Sequence, residues 1–397
     1  MNIENLSRMA DLHGTSFYIF YPERFLSNLN NLQGAIVEYY PNSQLAYALK
    51  ANYMPALCAL LKEHGYWGEV VSGMEYGIAR THLPGSRLIF NGPCKLREEI
   101  RLAIREGALV NVDSFYELNA LEEMANEFQK INIGIRVNFD IGTGSSRFGF
   151  NFENGEFSRA VKQLQRLSNV TLVSIHSHFT THERSLEIFK RRIKGMLRVI
   201  DSIPKPENIK YVNLGGGFFG PMSETAKKRF PVMPPSFSEY AAVIGKNMTE
   251  KFGLQGPCLM FEPGVSMIAD AMDYVVKVLD KKKTGTCQYL TVDGSINCLY
   301  PTGRWYEPDY SVVCGDDAPN RKCSIVGYTC MEHDVLLSDI ETNAQPGDFF
   351  IFHNRGAYSN VYKPPFIKES PAIIGLTGEV YAHRQTYREI VAPYQGS

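Results

Sequence analysis

The strongest constraint on this chain is a unit that recurs. Between residues 45 and 262 a short apolar run is followed by a polar residue or glycine and then by an amphipathic stretch. The runs are LAYAL (45–49), EVVS (69–72), RLIFN (87–91), ALVNV (108–112), IGIRVN (133–138), TLVSIH (171–176), YVNL (211–214) and CLMFE (258–262). The stretches between them read as helices. In PALCALLKEHG, Pro55 suits a first helical turn, the apolar residues recur at three and four, and Gly65 can close the end in a left-handed conformation. Ser114 and Glu117 form an S-x-x-E capping box ahead of Leu118, Leu121 and Met124. Eight strand–helix units predict a parallel (β/α)8 TIM barrel rather than an open sheet.

Beyond Glu262 the period changes. MDYVVKVLD, CQYLTVDG, YSVVCG, CSIVGY and DFFIFHN alternate or run apolar over short lengths between Gly, Asp and Pro, which predicts a C-terminal all-β domain. SFYIFYP (16–22) reads as a further strand of that domain. The expected division is residues 23–264 for the barrel and residues 1–22 plus 265–397 for the β-domain. A length of 397 residues accommodates both.

Charge narrows the partners. With 41 Lys+Arg against 42 Asp+Glu and no long basic run, neither nucleic acid nor an anionic membrane is an expected partner. The eight cysteines form no CxxC pair and lie at no metal-ligand spacing with histidines. The stretch MNIENLSRMADLHG has neither a basic n-region nor an apolar h-region. The expectation is a reduced, cytoplasmic, soluble protein.

In a parallel barrel the C-terminal strand ends converge on one mouth, where active sites are built. The ends here carry Lys50, Glu69 with Ser72, Asn91, Asp113, Arg136, His176 with His178, Gly215, Gly216 and Gly217, and Glu262. Lys50 follows an apolar run, a setting that makes an amine nucleophilic; the alternative is a rim lysine reaching to water. LGGGFFG (214–220) offers backbone N–H groups with no Cβ in the way, a cradle for phosphate or simply a tight turn. His176, His178 and His182 have no carboxylate or cysteine at ligand spacing, so no metal site is expected. Glu262, in FEPG, needs a cationic or protonated partner if buried. One amine, one phosphate cradle and one lone carboxylate on a rim meet the needs of pyridoxal 5'-phosphate.

YALKAN (47–52), EVVSGMEYG (69–77), RVN (136–138), SRFGF (146–150), HSHFTTH (176–182), LGGGFFG (214–220), FEPG (261–264), VDG (292–294), GYTCMEHD (327–334) and RGAY (355–358) occur in a fixed order. In that order the chain resembles the fold-type III pyridoxal-phosphate decarboxylases, the family of diaminopimelate and ornithine decarboxylases, from about residue 16 to about 375. The resemblance implies that Lys50 bonds the cofactor aldehyde, that Glu262 partners the pyridine nitrogen and that His178 stacks on the ring. It gives the phosphate to Thr181, Gly215, Gly216, Gly217 and Tyr358. Cys330 matches the cysteine with which a partner subunit protonates the carbanion, so a homodimer with shared sites is implied. Arg136 and Glu69 match positions near the ring.

Four departures stand out. Val265 replaces the arginine that follows EPG, Met331 replaces the acid that follows the cysteine, Pro301 stands in place of an amine-binding aspartate, and Thr180 replaces a glycine. Absent acids leave a substrate ammonium without its partner, a loss of about 2–5 kcal/mol. Arg304, Arg355 and Glu332 are the candidate substrate contacts, with Trp305 and Tyr306 as stacking surface. The expected activity is therefore decarboxylation of a modified amino acid, tethered, citryl-linked or nucleotide-linked, in a specialised pathway such as antibiotic, microcin or siderophore biosynthesis. The alternatives are a diaminopimelate or other diamino acid decarboxylase of primary metabolism, a non-catalytic binding homologue and, less favoured, a racemase.

Overall fold

All eight runs form strands, and the strands close on themselves. The computed structural model describes residues 1–395 except 145, 180–182, 231, 300–307, 316–317 and 363–364. Strand β1 (Phe17–Phe20) is followed by β2 (Ser43–Ala48), β3 (Trp67–Val70), β4 (Leu88–Phe90), β5 (Leu109–Val112), β6 (Ile131–Asn138), the short β7 (Phe150–Asn151), β8 (Val170–His176), β9 (Tyr211–Asn213) and β10 (Cys258–Phe261). Strands β5-β4-β3-β2-β10-β9-β8-β6 pair in parallel, and a β5–β6 pairing shuts the ring. Thr180, Thr181, Arg304, Trp305 and Tyr306, with Pro301 and His182, lie outside the described residues.

The chain divides into two compact units, Leu26–Met267 and Met1–Phe25 with Ile268–Ser397. Inside the barrel unit, Ala46, Ile89, Leu109, Val173 and Met260 are buried together, with Trp67, Tyr211 and Cys258 packed against them. Full burial of a side chain such as Ile89, Val173 or Met260 contributes about 1.5–3 kcal/mol. Two residues further along their strands, Trp67, Ile89, Leu109, Tyr211 and Met260 give way to Glu69, Asn91, Asn111, Asn213 and Glu262. Because side chains in a strand alternate with period two, this spacing stacks a polar layer on an apolar floor.

The helices begin as the sequence indicates, with one difference. Pro55 opens the helix Pro55–Glu63, and Gly65 takes φ 78° just past its end. Ser114 Oγ accepts from the Glu117 N–H at 3.4 Å, yet the Glu117 carboxylate does not complete a capping box. It turns inward instead, accepting from the backbone N–H groups of Asp113 (2.8 Å) and Lys95 (3.3 Å) and facing the Lys95 ammonium at 2.9 Å. Both side chains of this pair are fully buried, so the ammonium outcompetes the half-buried cap position for the carboxylate.

The second unit is a mixed sheet. Strands β11 (Met272–Thr284), β12 (Cys287–Val292), β13 (Tyr310–Val313), β14 (Arg321–Val326), β15 (Val335–Thr342), β16 (Phe349–Phe352), β17 (Ala372–Ile374) and β18 (Val380–Ala382) join β1 in the order β15-β14-β12-β11-β1-β17-β18, with β16 pairing β11 and β13. SFYIFYP supplies β1, antiparallel to β11 and parallel to β17. A helix that the sequence reading passed over, Ile3–His13, lays Leu6, Met9 and Ala10 on Phe17, Ile19, Val275, Phe349 and Ile351.

Candidate active site

Glu262 is the centre of the polar layer. Its side chain is 3% exposed, and Oε1 accepts from the amides of Asn213 (2.6 Å) and Asn91 (2.7 Å) while Oε2 accepts from His176 Nε2 at 3.1 Å. Burial pushes a carboxyl up; here His176 and then Lys50 more than offset it and hold Glu262 below the usual carboxylate range. The network extends outward. Asn111 donates to Asn91 Oδ1 at 2.8 Å, and Asn91 also reaches Glu69 Oε1 at 3.1 Å.

Lys50 lies on the short turn Leu49–Ala51 that ends β2. Its Nζ donates to Glu69 Oε2 at 2.5 Å, with the lysine side chain 30% exposed and the glutamate 1%. The amine is thus held on the polar layer by a buried carboxylate while still open to solvent.

Beside it, the glycine loop is shaped by close approach. Gly215 and Gly217 adopt φ 64° and 98°, and a Cβ on Gly215 would lie 2.6 Å from His178 Nδ1. The Gly215 N–H donates to Asn213 Oδ1 at 2.9 Å, tying the loop to the residue that holds Glu262. His178 Nδ1 accepts from the Gly216 N–H at 3.0 Å, so that nitrogen carries no proton. Burial first, and then Lys50, Arg136 and Arg192, hold the imidazole well below its usual range, in keeping with the neutral ring.

Two arginines frame this loop. Arg192 is buried, and its Nη2 donates to the carbonyls of Leu214 and of Gly216, the latter at 2.9 Å. Burial lowers its pKa to about 10, which leaves the guanidinium charged at neutral pH beneath the loop. Arg136 donates from Nη1 to Asp113 Oδ2 at 3.0 Å and from Nη2 to the His178 carbonyl at 3.2 Å.

These groups fit pyridoxal 5'-phosphate. A loop with no room for a Cβ at Gly215 or Gly216, and with an arginine charge beneath it, suits a phosphate, and a buried carboxylate held ionised suits a protonated ring nitrogen. Lys50, His178, Gly215, Gly216, Gly217 and Glu262 therefore share one end of the barrel, whereas Thr181 lies outside the described residues.

The other sequence-predicted residues belong to the sheet unit. Cys330 and Glu332 are exposed on the turn between β14 and β15, and Met331 is half-buried. Asp334, which sequence reasoning missed, fastens that turn: Oδ2 accepts from the Thr329 N–H (3.0 Å), and Oδ1 from the Ile296 N–H (2.8 Å) and Ser295 Oγ (3.1 Å). Arg355, expected to meet substrate, donates from Nε to the His353 carbonyl (2.7 Å) and from Nη1 to the Leu299 carbonyl (3.2 Å). Through these two bonds the planar guanidinium ties its own loop to Leu299. Tyr358 is partly buried at φ 58°.

Asn91 was visible in the sequence as a strand end without a role, and Asn111, Asn213 and Arg192 were not singled out. The first three carried a signal, a polar residue two positions after an apolar one in an otherwise apolar strand. Arg192 sits on the helix Leu186–Asp201, where a buried arginine looks like any surface residue of an amphipathic helix.

Comparison with known proteins agrees with this geometry. The family described as "Pyridoxal-dependent decarboxylase, pyridoxal binding domain" matches residues 26–269. Diaminopimelate decarboxylase of Bacillus subtilis (strain 168) is 28% identical over 96% of this chain and 92% of its own length. The Methanocaldococcus jannaschii diaminopimelate decarboxylase is 27% identical over 97% and 92%. The crystal structure from that organism superposes with a TM-score of 0.86 at 27% identity, covering 98% of this chain and 94% of the other. A second crystal structure of the M. jannaschii enzyme, in complex with L-lysine, gives 0.85 at 26%, with the same coverage of both chains. The chain belongs to the pyridoxal-dependent decarboxylases, and its cofactor is pyridoxal 5'-phosphate.

Proposed function

We propose that this carboxy-lyase removes the α-carboxyl group of a diamino acid of the diaminopimelate kind, and that Lys50, His178, Glu262 and Cys330 carry the reaction. The observation that supports the assignment most is Glu262, a buried carboxylate kept ionised by His176 and Lys50 and hydrogen-bonded by Asn91 and Asn213. When bound, the cofactor supplies an electron sink for the pair left on Cα as carbon dioxide departs. Glu262 keeps the ring nitrogen protonated, which deepens that sink. Lys50 anchors the cofactor aldehyde between turnovers and releases the amine product. Gly215, Gly216 and Gly217, with Thr181 and Tyr358, bind the phosphate, and the charge of Arg192 reinforces the loop. Neutral His178 covers the ring face without adding a competing charge. Cys330 of a second copy in a homodimer delivers the proton to Cα.

The substrate assignment rests on relatives named as diaminopimelate decarboxylases that match nearly the whole chain, against the specialised-pathway expectation of the sequence. A second reading, a modified amino acid without a simple distal amine, is favoured by Met331 and Pro301. These residues stand where the resemblance leads one to expect amine-binding acids. Carbon dioxide release from meso-diaminopimelate, lysine, ornithine, arginine and adenylylated or carrier-tethered amino acids separates the two. Turnover of diaminopimelate at a rate typical of metabolic enzymes, about 1–10³ per second, supports the first reading. Turnover of only a tethered or adenylylated substrate overturns it.

A further inference from the structure

Four neighbouring strands of the sheet unit set a row of polar groups on one face. In β1 and β11, Ile19 faces Asp273; in β11 and β16, Tyr274 faces Phe352, which brings Asp273 beside His353; in β13 and β16, Tyr310 faces Phe352, which brings Ser311 within a diagonal of His353. The His353 N–H donates to the Asp309 carbonyl at 2.8 Å and continues the ladder past the end of β16.

The side chains connect in sequence. Ser311 Oγ lies 3.1 Å from His353 Nε2, and His353 Nδ1 lies 3.1 Å from Asp273 Oδ2. The Tyr21 hydroxyl donates to the same Oδ2 at 3.0 Å, and burial, reinforced by Asp273, pushes this phenol up so that it keeps its proton. Asp273 is buried, and its Oδ1 has no hydrogen-bond partner among the described residues. Arg24 stacks 4.0 Å over the Tyr21 ring. Tyr21, Arg24, Asp273, Ser311 and His353 line a cavity of about 340 Å³, together with Ile351 and Leu376.

A hydroxyl on one imidazole nitrogen and a buried carboxylate on the other is the arrangement that activates a serine. Nothing in the decarboxylation uses these groups. We propose that Ser311, His353 and Asp273 form a second catalytic site, independent of the cofactor, that hydrolyses short-chain carboxylic esters. Ser311 Oγ bonds to the ester carbonyl carbon as its proton passes to His353 Nε2, and Asp273 steadies the imidazolium. Arg24, which lines the cavity and also donates to the Asp270 carbonyl at 3.0 Å, is the positive group assigned to the charged carbonyl oxygen. The carbon–alkoxy bond breaks as His353 returns the proton to the leaving alcohol. Water then gives its proton to His353 and its oxygen to the acyl carbon, the Oγ–carbon bond breaks, and Ser311 recovers a proton. Apolar Ile351 and Leu376 suit a short acyl chain.

The test uses the cofactor-loaded enzyme and diisopropyl fluorophosphate, read by intact mass and peptide mapping. The expected result is one adduct, on Ser311, which is absent in Ser311→Ala while decarboxylation is unchanged. His353→Gln should slow labelling by at least about 100-fold, the effect of removing a general base, and Asp273→Asn should slow it as well. Hydrolysis of p-nitrophenyl acetate should fall in parallel. Melting curves confirm that each variant is folded. No adduct under conditions that label a serine protease to completion, an adduct on another residue, or a labelling rate indifferent to His353→Gln overturns the proposal.

Discussion

The two units treat their polar groups in opposite ways. In the barrel, Glu262, Asn91, Asn111, Asn213, His176 and Glu69 are all buried and largely satisfy one another. On the β14–β15 turn of the sheet unit, Cys330 and Glu332 are exposed, and only the carboxylate of Asp334 beneath them is buried. A buried network is rigid because leaving any member unpaired costs about 1–3 kcal/mol, whereas exposed turn residues can change at little cost in stability. On the function proposed above, the barrel holds the cofactor, while the β14–β15 turn with Cys330 and Met331 can vary proton delivery and substrate choice at little cost in stability.

Substitutions on the two sides should separate these roles. The largest effect is expected from Glu262→Gln, which keeps the shape and removes the charge. Steady-state kinetics should show kcat lowered by about 10²–10³-fold, the size of losing one electrostatic stabiliser. The same variant tests the pH dependence. A folded carboxyl held below its unfolded value of about 4.3 contributes stability that is complete above that pH and is lost as pH falls further. Acid melting curves should consequently be flatter in Glu262→Gln than in the native chain, and an unchanged acid limb would contradict the ionised assignment.

Cys330→Ser should lower kcat by about 100-fold, as for loss of a general acid, while the melting curve shifts by no more than about 0.5 kcal/mol. A large loss of stability there would place the cysteine among the structural groups. Met331→Glu restores the family's acid and sharpens the contrast between the readings of substrate. If the native substrate lacks a distal amine, kcat/KM for diaminopimelate should rise by about 30-fold, corresponding to roughly 2 kcal/mol. If diaminopimelate is already the substrate, the change should be minor. Asp334→Asn replaces one of the two acceptor oxygens by a donor, which then meets the N–H of either Thr329 or Ile296. It should cost about 1–3 kcal/mol by denaturant unfolding and lower kcat through the turn that carries Cys330.

The barrel was legible because its strands are short apolar runs at regular spacing and its helices announce themselves by proline and serine starts. Lys50, His178, Gly215–Gly217 and Glu262 were legible because each ends such a run. The supporting asparagines were not, since what they do depends on which strands become neighbours: Asn91 on β4 and Asn213 on β9 meet only at Glu262 once the ring closes. Glu117 shows the same limit from the other side. Its local pattern announced a cap, and a buried lysine 22 residues earlier claimed the carboxylate. The bond from Arg355 to the Leu299 carbonyl was not legible either, because it joins residues remote in sequence. Strands β17 and β18 escaped notice because three residues are too few to show a period, and β15 because its sequence, VLLSDIET, runs apolar and then polar rather than alternating.

On the proposed function, the barrel's polar layer surrounds a cofactor bonded to Lys50. Borohydride reduction of the cofactor-loaded enzyme, followed by peptide mass mapping, tests it most directly. One pyridoxyl phosphate per chain on the peptide containing Lys50, with loss of the visible absorbance and of decarboxylation, is the predicted result. A label on a different lysine, or a Lys50→Ala variant that still binds the cofactor and releases carbon dioxide at the native rate, would contradict it.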